Sequence, residues 1–192
     1  MPTAAPDVRV VQRGAAPADV AGVLLTPGAS ATRHHATLVA LDAALSPHVA
    51  VRRVDLPRGA AAVARVRDEA EAFAAELGVG TQRLVVGGRS FGGRMASVAV
   101  AEGLPAAGLL LLSYPLHPPG QPERLRTAHL PDVRVPVLAV SGERDPFGTP
   151  DELTTHLAGL GGPWTLALVP GTHAPRDTAV VAAVRLWWPA AG

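Results

Sequence analysis

Short apolar runs alternate with longer amphipathic segments along most of the chain. The apolar runs predict strands at residues 8–12, 20–25, 49–54, 83–86, 107–112, 135–140 and 164–169. The segments between them predict helices at residues 34–45, 60–77, 94–102, 150–157 and 178–188. Such alternation is typical of βαβ units. It predicts an α/β fold, a doubly wound, mainly parallel sheet with helices on both faces.

The clearest helix is the segment 60–77. Its apolar residues recur at helical spacing, at Val63, Val66, Ala70, Phe73 and Leu77. The other face predicts two i,i+4 ion pairs, Arg65–Glu69 and Arg67–Glu71. By contrast, the stretch 114–134 is rich in proline and predicts a long loop, of a length that is usually functional or disordered.

A G-x-S-x-G motif centred on Ser90 stands between a predicted strand and a predicted helix. This context is what a nucleophile elbow requires, because the serine sits in a tight turn whose neighbouring positions leave no room for side chains. The alternative is a glycine-rich turn that happens to contain a serine. A serine hydroxyl is a weak nucleophile unless a base removes its proton, and that base needs an orienting acid.

In folds with such an elbow the partners follow the serine in the order acid, then histidine. Asp145 comes just after the predicted strand 135–140, and His173 comes just after the strand 164–169. Both therefore belong to the edge of the sheet where catalytic groups gather. Asp145 could instead cap a turn, with Asp151 as the acid. The histidines that compete with His173 are His117, His129 and His156.

Two backbone N–H groups are expected to hold the oxyanion, those of Phe91 and Ala29. Phe91 follows the serine, and Ala29 lies in the loop after an early strand, where Gly28 lets the backbone approach closely. A glycine in such a loop is common in any α/β protein. Gly28, Ser30 and His117 are further candidates for lining the pocket.

Composition removes several other classes of function. The 192 residues, 48% of them hydrophobic, predict a single domain spanning 1–192. No cysteine is present, which excludes disulfides, thiolate metal sites and a cysteine nucleophile. The net charge of +1, with scattered arginines, does not favour nucleic acid. We expect no cofactor and no metal, because no phosphate-binding loop and no zinc-ligand spacing occur.

The apolar runs are too short for a membrane span, and residues 1–14 show no secretory signal pattern. We therefore expect a cytoplasmic protein with no membrane partner.

Four blocks of the chain carry a resemblance to a known family. They are LLTPGA (24–29), GGRSFGGRMAS (87–97), SYPLHPPG (113–120) and GERDPFG (142–148). In this order they resemble the α/β-hydrolase superfamily, and within it the dienelactone-hydrolase-like group that includes the hydrolase-like domains of testis-expressed protein 30 and NSL-complex subunit 3. The resemblance implies Ser90 as nucleophile, Asp145 as acid and His173 as base.

The sequence thus predicts a cap-less serine hydrolase that cleaves small carboxylic esters or related acyl compounds through an acyl-enzyme. Its expected partner is a small-molecule acyl substrate, and the sequence makes no prediction of the oligomeric state. The stretch 114–134 offers the only room for a lid, so we expect an open, shallow site. The alternative hypothesis is an interaction module that keeps the hydrolase fold without significant turnover.

Overall fold

A computed structural model of the protein describes residues 8–188, and these residues form one seven-stranded sheet flanked by helices. The strands are β1 (Arg9–Gln12), β2 (Gly22–Thr26), β3 (Ala50–Arg53), β4 (Leu84–Arg89), β5 (Gly108–Leu112), β6 (Val137–Gly142) and β7 (Trp164–Val169). The helices are α1 (Ala36–Leu45), α2 (Ala61–Glu76), α3 (Phe91–Ala101), α4 (Pro150–Leu157) and α5 (Asp177–Trp187). Two short 3-10 helices cover Thr81–Arg83 and Leu130–Asp132.

The strand order is β1-β7-β6-β5-β4-β2-β3. Every pair is parallel except β1 with β7, so the carboxyl ends of six strands meet at one edge. Strands buried on both faces need near-continuous apolar sequence, which is what β2, β5 and β7 contain. The predicted α/β class with a mainly parallel, doubly wound sheet is therefore confirmed.

Each face of the sheet has its own apolar cluster. Successive side chains of a strand point to opposite faces, so Leu109 and Leu111 of β5 join one cluster while Leu110 and Leu112 join the other. Buried residues of α2, α3 and α4 complete the first cluster, and those of α1 and α5 complete the second. Central strand β5 is thus packed from both sides.

The differences from the predicted elements lie mainly at their ends. α1 begins at Ala36 because His35 is its cap, its Nδ1 accepting the N–H of Thr37 at 3.3 Å. α3 begins at Phe91, three residues before the predicted start, although two glycines occupy its first turn. β4 continues through its glycines to Arg89 because the neighbouring strands β2 and β5 supply backbone partners.

Tertiary packing also changes one of the predicted ion pairs. Arg65 pairs with Glu69 at 2.6 Å as expected, but Arg67 reaches Glu102, the residue that ends α3, at 3.2 Å, so the predicted Arg67–Glu71 pair is wrong. α2 packs along α3, which brings a carboxylate of another helix within reach. The tandem tryptophans 187 and 188 are both buried at the end of α5.

The stretch 114–134 is loop-rich, as predicted, with one 3-10 helix at its end. Its first four residues, 114–117, are buried, so this part packs into the protein. Over residues 8–188, no helix combines the length and apolarity that crossing a membrane requires. Of residues 1–14, whose sequence shows no secretory signal pattern, residues 1–7 lie outside the described part of the chain.

Replacing Leu111 with alanine tests the central packing. Leu111 is completely buried in β5, and we expect Leu111→Ala to lower the free energy of unfolding by about 2–5 kcal/mol. Leu125→Ala is the matched control, because Leu125 is 47% exposed and its truncation should change stability by less than about 0.5 kcal/mol. Urea unfolding of both variants measures the difference, and equal losses would contradict this packing.

Candidate active site

Ser90 occupies a sharp turn between β4 and α3. Its φ of 49° lies in the left-handed region that non-glycine residues avoid, so the surrounding structure must hold it there. The Ser90 N–H donates to the carbonyl of Leu112 at 2.7 Å, and its own carbonyl accepts the N–H of Arg94 at 3.0 Å. A side chain at Gly88 or Gly92 would collide with the backbone at the end of β2. Both motif glycines are therefore required by this close approach.

Ser90, His173 and Asp145 form a continuous chain of hydrogen bonds. The Nε2 of His173 is 2.9 Å from the Oγ of Ser90, and its Nδ1 is 2.9 and 3.0 Å from the two carboxylate oxygens of Asp145. An ionised carboxylate can only accept, so it favours the tautomer with the proton on Nδ1. That tautomer leaves Nε2 free to accept the serine proton.

The acid is held in place by its own turn. Asp145 is only 2% exposed and follows β6, where its N–H donates to the carbonyl of Gly142 at 3.1 Å. Its Oδ1 accepts the N–H of Phe147 at 2.9 Å, and its Oδ2 lies 3.4 Å from the hydroxyl of Ser141. These donors stabilise a carboxylate that burial would otherwise destabilise.

Two residues outside the predicted site contact His173. The Phe147 ring lies with its centroid 4.1 Å from that of the imidazole, tilted by 32°. The Nη2 of Arg89 donates to the backbone carbonyl of His173 at 2.8 Å. Both stand next to predicted site residues in the sequence, Phe147 two positions after Asp145 and Arg89 immediately before Ser90. Both also lie in the blocks 87–97 and 142–148 that carry the family resemblance, but neither was predicted as a site residue.

The loop after β2 lies beside the serine. Gly28 is buried, and a Cβ added to it would lie 3.7 Å from the Cβ of Ser90. Ala29 and Ser30 follow in an exposed turn, and Phe91 opens α3 on the other side of the serine. The arrangement brings Gly28 and Phe91 next to Ser90. The oxyanion role of the Phe91 and Ala29 N–H groups stays a prediction.

The competing candidates have other surroundings. Asp151 is exposed in the first turn of α4, and His156 lies in the last turn of the same helix. His117 is buried, with its Nδ1 2.7 Å from the carbonyl of Pro118 and its Nε2 3.5 Å from the carboxylate of Glu152. These contacts link the 114–134 stretch to α4. A role for His117 in lining the pocket stays a prediction.

The remaining competitor, His129, belongs to a polar cluster behind α3, the helix that follows Ser90. Its Nε2 is 2.7 Å from the hydroxyl of Ser97 and 3.3 Å from that of Tyr114. Ser97 donates to the carbonyl of Arg94 at 2.8 Å, so it accepts the Nε2–H of His129. Burial raises the pKa of Tyr114 to about 12. Among residues 8–188, the buried Nε of Arg94 has no hydrogen-bond partner.

The described residues contain no group of histidine, aspartate and glutamate side chains that could hold a metal ion.

Titration of His129 should couple stability to pH. Burial lowers the pKa of His129, and the nearby Arg94 lowers it further against the opposing carboxylates of Glu102 and Asp132. The imidazole of His129 therefore binds a proton more readily in the unfolded chain than in the folded one. The folded state is stabilised by the neutral imidazole above about pH 6.5, and this contribution to the free energy of unfolding is lost as the pH falls. Burial and Arg89 lower the pKa of His35 as well, which acts in the same direction.

The variant His129→Gln keeps a donor for Ser97 but cannot titrate in this range. When the pH is lowered from about 7.5 to about 5.5, we expect its free energy of unfolding to fall by less than that of the parent protein. Urea unfolding midpoints at the two pH values provide the measurement. An unchanged pH dependence in the variant would show that His129 is not the group responsible.

Comparison with known proteins agrees with this architecture. The family described as "Alpha/beta hydrolase domain" matches residues 20–172, ending one residue before His173. Dienelactone hydrolase from Anabaena variabilis is 18% identical, with a TM-score of 0.73 over 96% of this chain and 98% of that chain. A thermophilic esterase from Thermogutta terrifontis is 19% identical, with a TM-score of 0.69 over 96% and 93%.

The Bacillus cereus carboxylesterase is 16% identical, with a TM-score of 0.67 over 99% of this chain and 96% of that chain. At these identities the structural likeness speaks for the fold. The family match extends from β2 through β7, across the turns that carry Ser90 and Asp145. The chain therefore belongs to the alpha/beta hydrolase domain family, with a dienelactone-hydrolase-like fold.

Proposed function

We propose that the chain acts as one serine hydrolase domain, residues 1–192, that cleaves small carboxylic esters or related acyl compounds. The observation that carries this proposal is the hydrogen-bond chain from Ser90 through His173 to Asp145, with distances of 2.9 Å and 2.9–3.0 Å. The esterases among the similar structures support the same class of reaction.

In the first half-reaction, the Oγ of Ser90 attacks the acyl carbon while the Nε2 of His173 takes the serine proton. Asp145 keeps the imidazole in the productive tautomer and stabilises the imidazolium that forms. The carbonyl oxygen gains negative charge and accepts hydrogen bonds from the N–H groups of Phe91 and Ala29. Collapse of this intermediate breaks the ester bond, and His173 returns the proton to the departing alcohol.

In the second half-reaction, a water molecule attacks the acyl group carried by Ser90. His173 removes a proton from this water, and the oxyanion is held by the same two N–H groups. Collapse releases the carboxylic acid and returns the proton to the Oγ of Ser90. No further group is needed to balance the reaction.

The surroundings of Ser90 favour small substrates. Between β5 and β6, the only regular structure is the 3-10 helix Leu130–Asp132, and the start of that connection is buried. The segment therefore supplies no separate cap domain to enclose a long acyl chain. We propose short acyl groups as the substrates and an open site for them.

Removing the serine hydroxyl tests the proposal directly. We expect Ser90→Ala to abolish hydrolysis of p-nitrophenyl acetate and butyrate, because no other group replaces the nucleophile. Ser46→Ala is the control, since Ser46 is exposed at the end of α1, and it should keep the parental rate. Equal rates in the parent and Ser90→Ala would contradict the proposal.

Labelling by a fluorophosphonate probe separates the enzyme from an interaction module with the same fold. Labelling of the parent protein that is lost in Ser90→Ala supports turnover. A folded parent protein that neither reacts with the probe nor hydrolyses esters favours the interaction module.

Replacing the acid with its amide tests the role of Asp145. Asparagine has nearly the same shape as aspartate, but its NH₂ group is a donor. Where this group faces Nδ1, the Nδ1–H of His173 has no acceptor, which disfavours the tautomer with the proton on Nδ1. We expect Asp145→Asn to lower kcat by about 10⁴-fold with little change in KM. Steady-state kinetics on p-nitrophenyl acetate provide the measurement, and a loss below about tenfold would argue against the assignment.

A further inference from the structure

Arg89 joins two turns that are distant in the sequence. It is the last residue of β4, immediately before Ser90, and its side chain is half-buried. Its Nη2 donates to the backbone carbonyl of His173 at 2.8 Å, across 84 positions of the chain. A hydrogen bond from a charged donor is stronger than one between neutral groups. The residue before the nucleophile thus holds the backbone of the base.

The same guanidinium also lies against the loop after β2. A Cβ added to Gly28 would be 3.3 Å from the Nη1 of Arg89 and 3.7 Å from the Cβ of Ser90. Arg89 therefore lies close to the turn that carries the proposed oxyanion donor Ala29 and leaves little space for a side chain at Gly28. One side chain lies among the nucleophile turn, the histidine turn and the oxyanion loop.

Among residues 8–188, no carboxylate lies within ion-pair distance of the Arg89 guanidinium. Burial lowers the pKa of Arg89, while the more distant charges of Asp145 and Asp177 raise it. A half-buried charge needs partners, and the partner available here is the carbonyl of His173. An arginine that served only to stabilise the fold would more readily pair with a carboxylate, as Arg53 does with Asp42 at 2.7 Å.

The turn that carries His173, residues 170–176, is held on one side by the acid turn, where the carbonyl of Gly171 accepts the N–H of Arg144 at 3.0 Å, and on the other side by Arg89. Residues 170, 172, 174 and 176 are exposed, and Gly171 has a φ of 136°. The position of the His173 backbone decides whether Nε2 reaches the Oγ of Ser90. Misplacement of a catalytic group by about 1 Å can cost about 10²-fold in rate.

We propose that Arg89 is a positioning residue for the ester hydrolysis proposed above, on which this inference rests. Its guanidinium holds the His173 carbonyl so that the imidazole stays aligned with Ser90, and it braces the Gly28 turn at the same time. Substrate binding does not involve it. Loss of Arg89 should therefore reduce kcat and leave KM nearly unchanged.

The test uses the full chain with p-nitrophenyl acetate as substrate. We expect Arg89→Ala to lower kcat by about tenfold to about hundredfold, with KM changed by less than about twofold. Guanidinium chloride at low, non-denaturing concentration should restore part of the lost kcat in Arg89→Ala, because the free cation can occupy the vacated position. It should not stimulate the parent protein.

Arg53→Ala is the matched control. Arg53 also donates to a backbone carbonyl, that of Arg33 at 2.6 Å, but it lies on the edge strand β3. The Arg53→Ala variant should keep the parental kcat, and guanidinium should not change its kcat.

An Arg89→Ala protein with parental kcat, or one whose loss is confined to KM, would overturn the inference. A folded Arg89→Ala variant in which guanidinium restores none of the lost kcat would also overturn it. If Arg89→Ala does not fold, Arg89→Lys and Arg89→Gln are compared instead. Higher kcat in the lysine variant supports the inference, and equal kcat overturns it. A parent protein that neither hydrolyses esters nor reacts with fluorophosphonate would overturn the proposed function itself, and with it this inference.

Discussion

The close approach of β4 to its two neighbouring strands is the constraint on which the site depends. Added side chains would meet the carbonyl of Leu110 at Gly87, the carbonyl of Thr26 at Gly88 and the carbonyl of Pro27 at Gly92. Only with these positions empty can the chain turn from β4 into α3 within one residue. The turn keeps Ser90 at φ 49°, with its hydroxyl at the edge of the sheet.

The parallel sheet supplies the rest of the site through its strand order. β4 and β7 are separated by β5 and β6, so their carboxyl ends lie on the same edge but not side by side. Asp145 after β6 and His173 after β7 reach toward Ser90 from one direction, and Gly28 after β2 approaches from the other. A parallel arrangement places all four turns at one edge, which an antiparallel meander would divide between two.

Buried polar groups around the elbow are satisfied in contrasting ways. Asp145 has His173 and the N–H of Phe147, and Ser97 has both His129 and the carbonyl of Arg94. The hydroxyl of Ser97 behind α3 has neutral partners, although the guanidinium of Arg94 lies close enough to this cluster to lower the pKa of His129.

The sequence by itself determined the local features of this protein. Apolar runs marked all seven strands, and the glycines around Ser90 identified the elbow, because hydrophobic periodicity and steric exclusion act over a few residues. The order of the chain placed Asp145 and His173 after strands, which was enough to predict that they would meet.

Only the tertiary structure decided which side chains meet across helices and turns. Arg67 pairs with Glu102 at the end of α3 and not with Glu71 on its own helix, and Trp188 is buried, because helix packing sets these neighbours. The contacts of Arg89 with the His173 carbonyl and of Phe147 with the imidazole arise in the same way. They join residues from different strand ends, and no periodicity along the chain encodes the distance between them.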